Sequence, residues 1–333
     1  MQYTTLGKTG VKVSRLCFGT MSFGGDADEQ TSAKMFDMCR EAGINFFDCA
    51  NMYSKGKAEE ILGRLMKGCR DELVITTKVG FNVGDGRVEP GLSRRSIMMA
   101  VEDSLRRLQT DWIDVYFCHT FDNAVPVEET LTALTDLVSQ GKILYIGVSN
   151  WAAWQIARAI GKTELLKLAP IHVVQPMYNL VKRTTEIEIF PLAQAEGLAV
   201  IPYSPLGAGL LTGKYSTTQK DLSGRIMNVV NYKLRYSDEM YYEIAERFCE
   251  YARQHKVHPA TLAVAWVKAH PAVTAPIIGA RNPEQLKASL DAADYEMSRE
   301  QWEEISALSY TPPPATDRTE ERHGVTFASP SSR

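Results

Sequence analysis

Eight short runs of apolar and β-branched residues recur along the chain, at 16–18, 45–48, 73–78, 112–118, 143–148, 172–175, 199–203 and 273–278. Amphipathic stretches separate them, and helical periodicity runs through 29–41, 58–66, 93–108, 127–139, 152–160, 186–196 and 283–293. Strands that alternate with helices build a parallel sheet covered by those helices, which leaves few architectures open. Ser93 and Ser96 suit helix N-caps, and Gly43, Gly141 and Gly197 stand where helices should stop. A doubly wound sheet that binds a dinucleotide would carry GxGxxG after its first strand, and no such motif occurs. GAGLLTGKY imitates a phosphate-binding P-loop, but Ala208 and Tyr215 stand where that motif needs Gly and Ser or Thr. The expected fold class is therefore α/β, a (β/α)8 TIM barrel, and 333 residues suit one such barrel with insertions.

Three regions fall outside the alternation. TTLGKTGVKVS near the N-terminus reads as a β-hairpin turning at Gly7 and Gly10, placed to cap the barrel floor. Residues 204–236, after the seventh strand, read as a long Gly-, Ser- and Asn-rich loop of the kind that is usually functional. Residues 1–312 are expected to form one barrel domain and 313–333 an irregular tail.

A net charge of -3 and a pI near 6.1 provide no general attraction for nucleic acid or an anionic membrane, so a small molecule is the expected partner. The N-terminus lacks the apolar core of a secretion signal, and no run approaches the ~18 apolar residues of a membrane span, so a cytoplasmic location is expected. The six cysteines show no metal-type spacing and read as free thiols, with Cys17, Cys49 and Cys118 packing at strand ends. Nothing in the sequence sets an oligomeric state.

Reacting groups in such a barrel project from the C-terminal ends of the strands. The second run ends FFDCANMY, with Asp48 and then Tyr53; the third ends VITTK, with Lys78; the fourth ends VYFCH, with His119. Together these can make an acid. A tyrosine hydroxyl titrates near ~10, and a neighbouring Lys78 ammonium is expected to lower that value and ease proton donation. Asp48 would keep a buried Lys78 charged, and His119 could orient a substrate carbonyl. Taken singly, each residue reads as packing or as a solvated surface group, but three consecutive strands ending in this set do not read as accident.

With these segments in hand, the chain resembles the aldo-keto reductase superfamily over about residues 3 to 310. The tetrad Asp48, Tyr53, Lys78 and His119 matches the family's catalytic pattern, within segments similar to its signatures, GINFFDCANMY, VITTKVG and DWIDVYFCHT. The resemblance implies that Ser149, Asn150 and Gln175 hold the nicotinamide carboxamide and that Tyr203 stacks on its ring. It further implies that Ser204, Leu206, Gly207 and Lys214 fold over the pyrophosphate, and that Gly279, Arg281, Gln285 and Ser289 form the adenosine site. Arg281 before a helix favours the 2'-phosphate, hence NADPH as cofactor. Many relatives carry Asn where this chain has Ser289. The activity implied is NADPH-dependent reduction of an aldehyde or ketone, with Tyr53 as general acid and Met21, Phe23, Trp151 and residues 226–236 around the mouth. The superfamily also includes channel-associated β subunits, which implies a second reading, a nicotinamide-binding regulatory protein with little turnover. A Schiff-base aldolase using Lys78 is a third, and Asp48 speaks against it by holding the amine protonated.

Overall fold

The computed structural model describes residues 1–84, 86, 88–218 and 224–320. Two antiparallel strands, β1 (Tyr3–Thr5) and β2 (Lys12–Ser14), form the expected hairpin. Eight parallel strands follow: β3 (Cys17–Gly19), β4 (Phe46–Asp48), β5 (Val74–Val79), β6 (Ile113–Cys118), β7 (Ile143–Ser149), β8 (Ile171–Gln175), β9 (Ala199–Val200) and β10 (Ile277–Ile278). They pair in sequence order, with β10 returning beside β3. Between β9 and β10, Thr274 N donates to Val200 O at 2.8 Å and Ile277 N donates to Pro202 O at 2.9 Å, which closes the ring as a (β/α)8 barrel. The last two strands are shorter than 199–203 and 273–278 suggested. Pro202 and Pro276 sit inside those runs and have no N–H for a ladder.

The barrel interior holds Val13, Cys17, Phe46, Val74, Val115, Phe117, Val173, Ala199, Ile201, Ala275 and Ile277, and the hairpin's Leu6 plugs the same cluster from below. Outside the strands, the larger apolar cluster packs under the helices. Cys17, Cys49 and Cys118 are buried, and none of the six cysteines is in a disulfide.

Helices α1 (Glu29–Glu41), α2 (Lys57–Leu65), α3 (Arg94–Leu108), α4 (Val127–Ser139), α5 (Ala153–Leu166) and α6 (Ile189–Glu196) fall where periodicity placed them. Ser93 caps α3, its oxygen accepting from Ser96 N, whereas Ser96 itself lies inside the helix. Gly43, Gly141 and Gly197 follow helices with φ of 82°, 71° and 68°, a conformation that costs glycine little.

The stretch 204–236 is more structured than expected. A 3-10 turn covers Gly207–Thr212, and short helices α7 (Arg225–Asn228) and α8 (Val230–Arg235) follow; 219–223 lie outside the described residues. Three further helices went unread in the sequence: α9 (Glu239–Gln254), α10 (Pro259–Ala269) and α12 (Arg299–Ala307), alongside the expected α11 (Pro283–Leu290). Their start signals were present, with Asp238 and Ser298 as caps and Pro259 at the first turn of α10. Of the expected tail, 313–320 carries no helix beyond a turn, and 321–333 lie outside the described residues. Among the described residues no helix is long and apolar enough to cross a membrane.

Candidate active site

A strand sends alternate side chains to one face, and this rule places the candidate site. Phe46, Val74, Phe117, Val173 and Ile201 fill the barrel, so Asp48, Lys78, His119, Gln175 and Tyr203 follow on the inner face two or four residues later. Thr77 points outward instead, where its hydroxyl donates to Glu59 Oε1 of α2 at 2.5 Å.

Asp48 and Lys78 are both buried. Lys78 Nζ donates to Asp48 Oδ2 and to the Cys49 carbonyl, each at 2.6 Å. Burial works against the Lys78 charge, but the Asp48 carboxylate, aided by Tyr53, outweighs it and holds the amine's pKa above its ordinary value. Lys78 is therefore an ammonium at neutral pH, the wrong form for a Schiff-base nucleophile. Asp48 Oδ1 accepts from Thr76 Oγ1 at 2.6 Å and from Gln175 Nε2 at 2.9 Å.

Tyr53 returns to this pair because the chain after β4 coils into a 3-10 turn, Tyr53–Gly56. Ser54 and Lys55 sit at φ of 49° and 56°, and Ser54 Oγ donates to Phe23 O at 2.7 Å. Gly56 closes the turn at φ 90° against Arg107; a Cβ there would lie 2.9 Å from Arg107 Cδ. Arg107 is held in turn by the buried Glu59 at 2.7 Å. The turn leaves Lys78 Nζ 5.1 Å from the centre of the Tyr53 ring.

Burial pushes the Tyr53 phenol up to about 12, while Lys78 pulls it the other way. The net direction is opposite to the expected lowering. The ammonium acts as anticipated, but removing a phenolate from water costs more than one shared ammonium returns. Tyr53 thus carries its proton throughout the neutral range.

His119 is buried against the Tyr53 and Phe81 rings, with centroids at 6.1 and 4.8 Å. Burial first, then the Lys78 charge, holds its pKa well below the ordinary value, so the imidazole is neutral. Its Nδ1 is buried with no partner among the described residues.

Ser149, Asn150, Gln175 and Tyr203 form one network. Tyr203 OH donates to Asn150 Oδ1 at 2.7 Å; Asn150 Nδ2 donates to His119 O at 2.9 Å and to Ser149 Oγ at 3.2 Å; Ser149 Oγ donates to Gln175 O at 2.9 Å. Asn150 is thus engaged through both ends of its amide, at a left-handed φ of 58°. Beside Tyr203 lies a cavity of about 360 Å³, whose lining includes Asn150, Trp151, Met177, Lys182, Thr184 and Glu188. Of these, Met177, Lys182, Thr184 and Glu188 were not foreseen.

After Tyr203 the backbone takes positive φ at Ser204 (64°), Gly207 (57°), Ala208 (58°), Gly209 (95°) and Gly213 (83°), with Leu206 in the same bend and Lys214 exposed just beyond. Past β10, Gly279 is exposed. Arg281 lies partly exposed 3.7 Å from Asp26, its backbone N–H donating to Gln285 Oε1 at 3.3 Å. Ser289 is fully buried with no partner for its hydroxyl among the described residues, so of these two helix residues only Gln285 presents its side chain at the surface. Met21 is exposed and Trp151 buried, while Phe23, expected at the mouth, is fully buried against Phe18 with ring centres 5.8 Å apart.

Thr76 is a further residue of this site that sequence reading missed. Its signal was the same two-residue step, since it precedes Lys78 by two on the inner face of β5 and pairs in register with Asp48.

Known proteins resemble this chain over most of its length. The model of the aldo/keto reductase family matches residues 15–309. An uncharacterized oxidoreductase, YrpG, of Bacillus subtilis is 38% identical over 90% of this chain and 93% of its own length. A probable voltage-gated potassium channel subunit beta of Arabidopsis thaliana is 36% identical over 88% of the chain and 92% of its own. Norsolorinic acid reductase of Aspergillus flavus is 33% identical over 89% and 78%.

Proposed function

The chain belongs to the aldo/keto reductase family, and from that premise we propose that it reduces an aldehyde or ketone to the alcohol with NADPH, Tyr53 giving the proton to the carbonyl oxygen. One observation carries this reading: the Lys78 ammonium, fixed by Asp48, lies 5.1 Å from the ring of a tyrosine that keeps its proton at neutral pH.

The residues present fit an anionic dinucleotide. Among the described residues Gln175 bonds through Nε2 and its backbone carbonyl, which leaves Oε1 able to accept from a carboxamide. The left-handed bend from Ser204 to Gly209 is a backbone geometry that forms anion-binding concavities, and Leu206 and Lys214 border it. Gly279, Arg281 and Gln285 surround the start of α11, where the guanidinium is only loosely engaged with Asp26. Ser289 contributes nothing polar at the surface, so adenine recognition in this reading falls to Gln285.

When bound, the nicotinamide supplies the hydride. Tyr203, Ser149, Asn150 and Gln175 would orient its ring, and Asn150 Oδ1, which accepts one bond from Tyr203, keeps a second lone pair for the carboxamide. Neutral His119 can donate a hydrogen bond to the substrate oxygen without competing for the Tyr53 proton. Tyr53 then donates that proton, and the adjoining Lys78 ammonium steadies the phenolate left behind.

The test is steady-state oxidation of NADPH with a panel of sugars, aromatic aldehydes, dicarbonyls and steroids. Multiple turnovers on at least one carbonyl are expected. Slow, stoichiometric oxidation with every one would favour instead a nicotinamide-binding regulatory protein, a reading supported by the likeness to a channel β subunit. The phosphate assignment is checked separately by fluorescence titration. Arg281→Ala is expected to weaken NADPH at least about tenfold, ~1.4 kcal/mol, and NADH less than about twofold. Equal losses would remove Arg281 from that role.

A further inference from the structure

We propose that Thr76 and Gln175 are positioning residues for the proton donor: by occupying Oδ1 of Asp48 from two sides, they reserve Oδ2 for Lys78. The inference rests on the reading of Tyr53 as the acid.

An ionised carboxylate has roughly four acceptor sites on two equivalent oxygens. Nothing in the Asp48–Lys78 contact alone decides which oxygen the ammonium takes or where the carboxylate plane lies. Two neutral donors decide it here. Thr76 Oγ1, from the adjoining strand, and Gln175 Nε2, from β8 farther round the barrel, both end on Oδ1, at 2.6 and 2.9 Å. Lys78 then has two of its three hydrogens committed, to Oδ2 and to the Cys49 carbonyl. The third remains for the side on which Tyr53 lies.

Loss of either donor frees the carboxylate to turn. The ammonium, which has nowhere to find water in a fully buried site, would follow it. Gln175 also ties this device to the residues around the cofactor site, because its backbone carbonyl accepts from Ser149 Oγ and that hydroxyl accepts from Asn150. Thr76 has no such second duty. It is fully buried below the site, so its substitution separates positioning from cofactor binding.

The experiment compares the parent with Thr76→Val, which replaces the hydroxyl by a methyl of similar size, and with Thr76→Ser, which restores the donor. If the valine variant does not fold, as judged by circular dichroism, Thr76→Cys takes its place as a weak donor. Two readouts are used. In steady-state kinetics, Thr76→Val is expected to lower kcat about tenfold, with KM for carbonyl and for NADPH within about twofold, and Thr76→Ser to recover most of the rate. In cofactor-free protein, the 15N-detected ammonium signal of Lys78, assigned by its loss in Lys78→Met, is expected to move in the valine variant, and its hydrogens to exchange with water at least about tenfold faster. A valine variant that shifts only the unfolding midpoint, with kcat and the Lys78 signal unchanged, overturns the proposal and leaves Thr76 a packing residue. If the parent itself turns over no carbonyl, the reading of Tyr53 fails on its own, and the Lys78 signal still decides whether Thr76 positions the pair.

Discussion

Tyr53→Phe is expected to slow carbonyl reduction by about 10²- to 10⁴-fold, the range over which a positioned general acid contributes. It deletes one oxygen and leaves the ring that packs beside His119 and over Lys78. Cofactor affinity should change by less than about threefold, ~0.6 kcal/mol, because the bend after Tyr203 and the start of α11 are untouched. The pH dependence carries a matching sign. A donor must hold its proton, and burial pushes the Tyr53 phenol up to about 12. The parent's reduction rate should therefore show no decline attributable to Tyr53 between about pH 6 and about pH 9, falling only on the alkaline side. Near-parent turnover by the phenylalanine variant would falsify the assignment of the acid.

Lys78→Met should do two things at once. Turnover falls because the phenolate left by proton donation loses its neighbouring cation. Stability falls by about 3–5 kcal/mol, the usual cost of removing one partner from a buried ion pair, because Asp48 is left without its partner in a site closed to water. Urea unfolding measures that loss. Replacing both charges, Asp48→Asn with Lys78→Met, is expected to recover much of the stability and none of the activity, since a neutral pair leaves no stranded charge. A double variant as unstable as the single one would show that the pair's contribution lies in packing rather than in charge.

Much of this architecture was legible from local pattern. The alternation of β-branched runs with amphipathic stretches located all eight barrel strands and the helices α1 to α6, because strand and helix periods are written in neighbouring residues. The polar residue ending each strand could also be read, because a two-residue step from an apolar inner position identifies it. Thr76 was available to the same rule and was passed over, since a threonine in a β-branched strand reads as propensity rather than chemistry. The helices α9, α10 and α12 were equally visible, with Asp238, Pro259 and Ser298 at their starts.

Other features depend on contacts that no local window contains. Phe23, expected at the mouth, is buried instead because Phe18 packs on it. Ser289 stands four residues after the exposed Gln285, yet the packing of α11 closes it off. Gln175 reaches Asp48 from 127 residues away in the chain, a bond that exists only once the barrel has closed.

The residues themselves determined that Asp48, Tyr53, Lys78 and His119 would gather at one end of a barrel, because strand order and side-chain alternation are properties of the chain. The tertiary structure alone decided how tightly Tyr53 holds its proton. An ammonium beside a phenol can be foreseen from two strand ends, and by itself it lowers the pKa. The depth of burial is set by everything packed around the ring, and here it outweighs the ammonium and turns the shift upward.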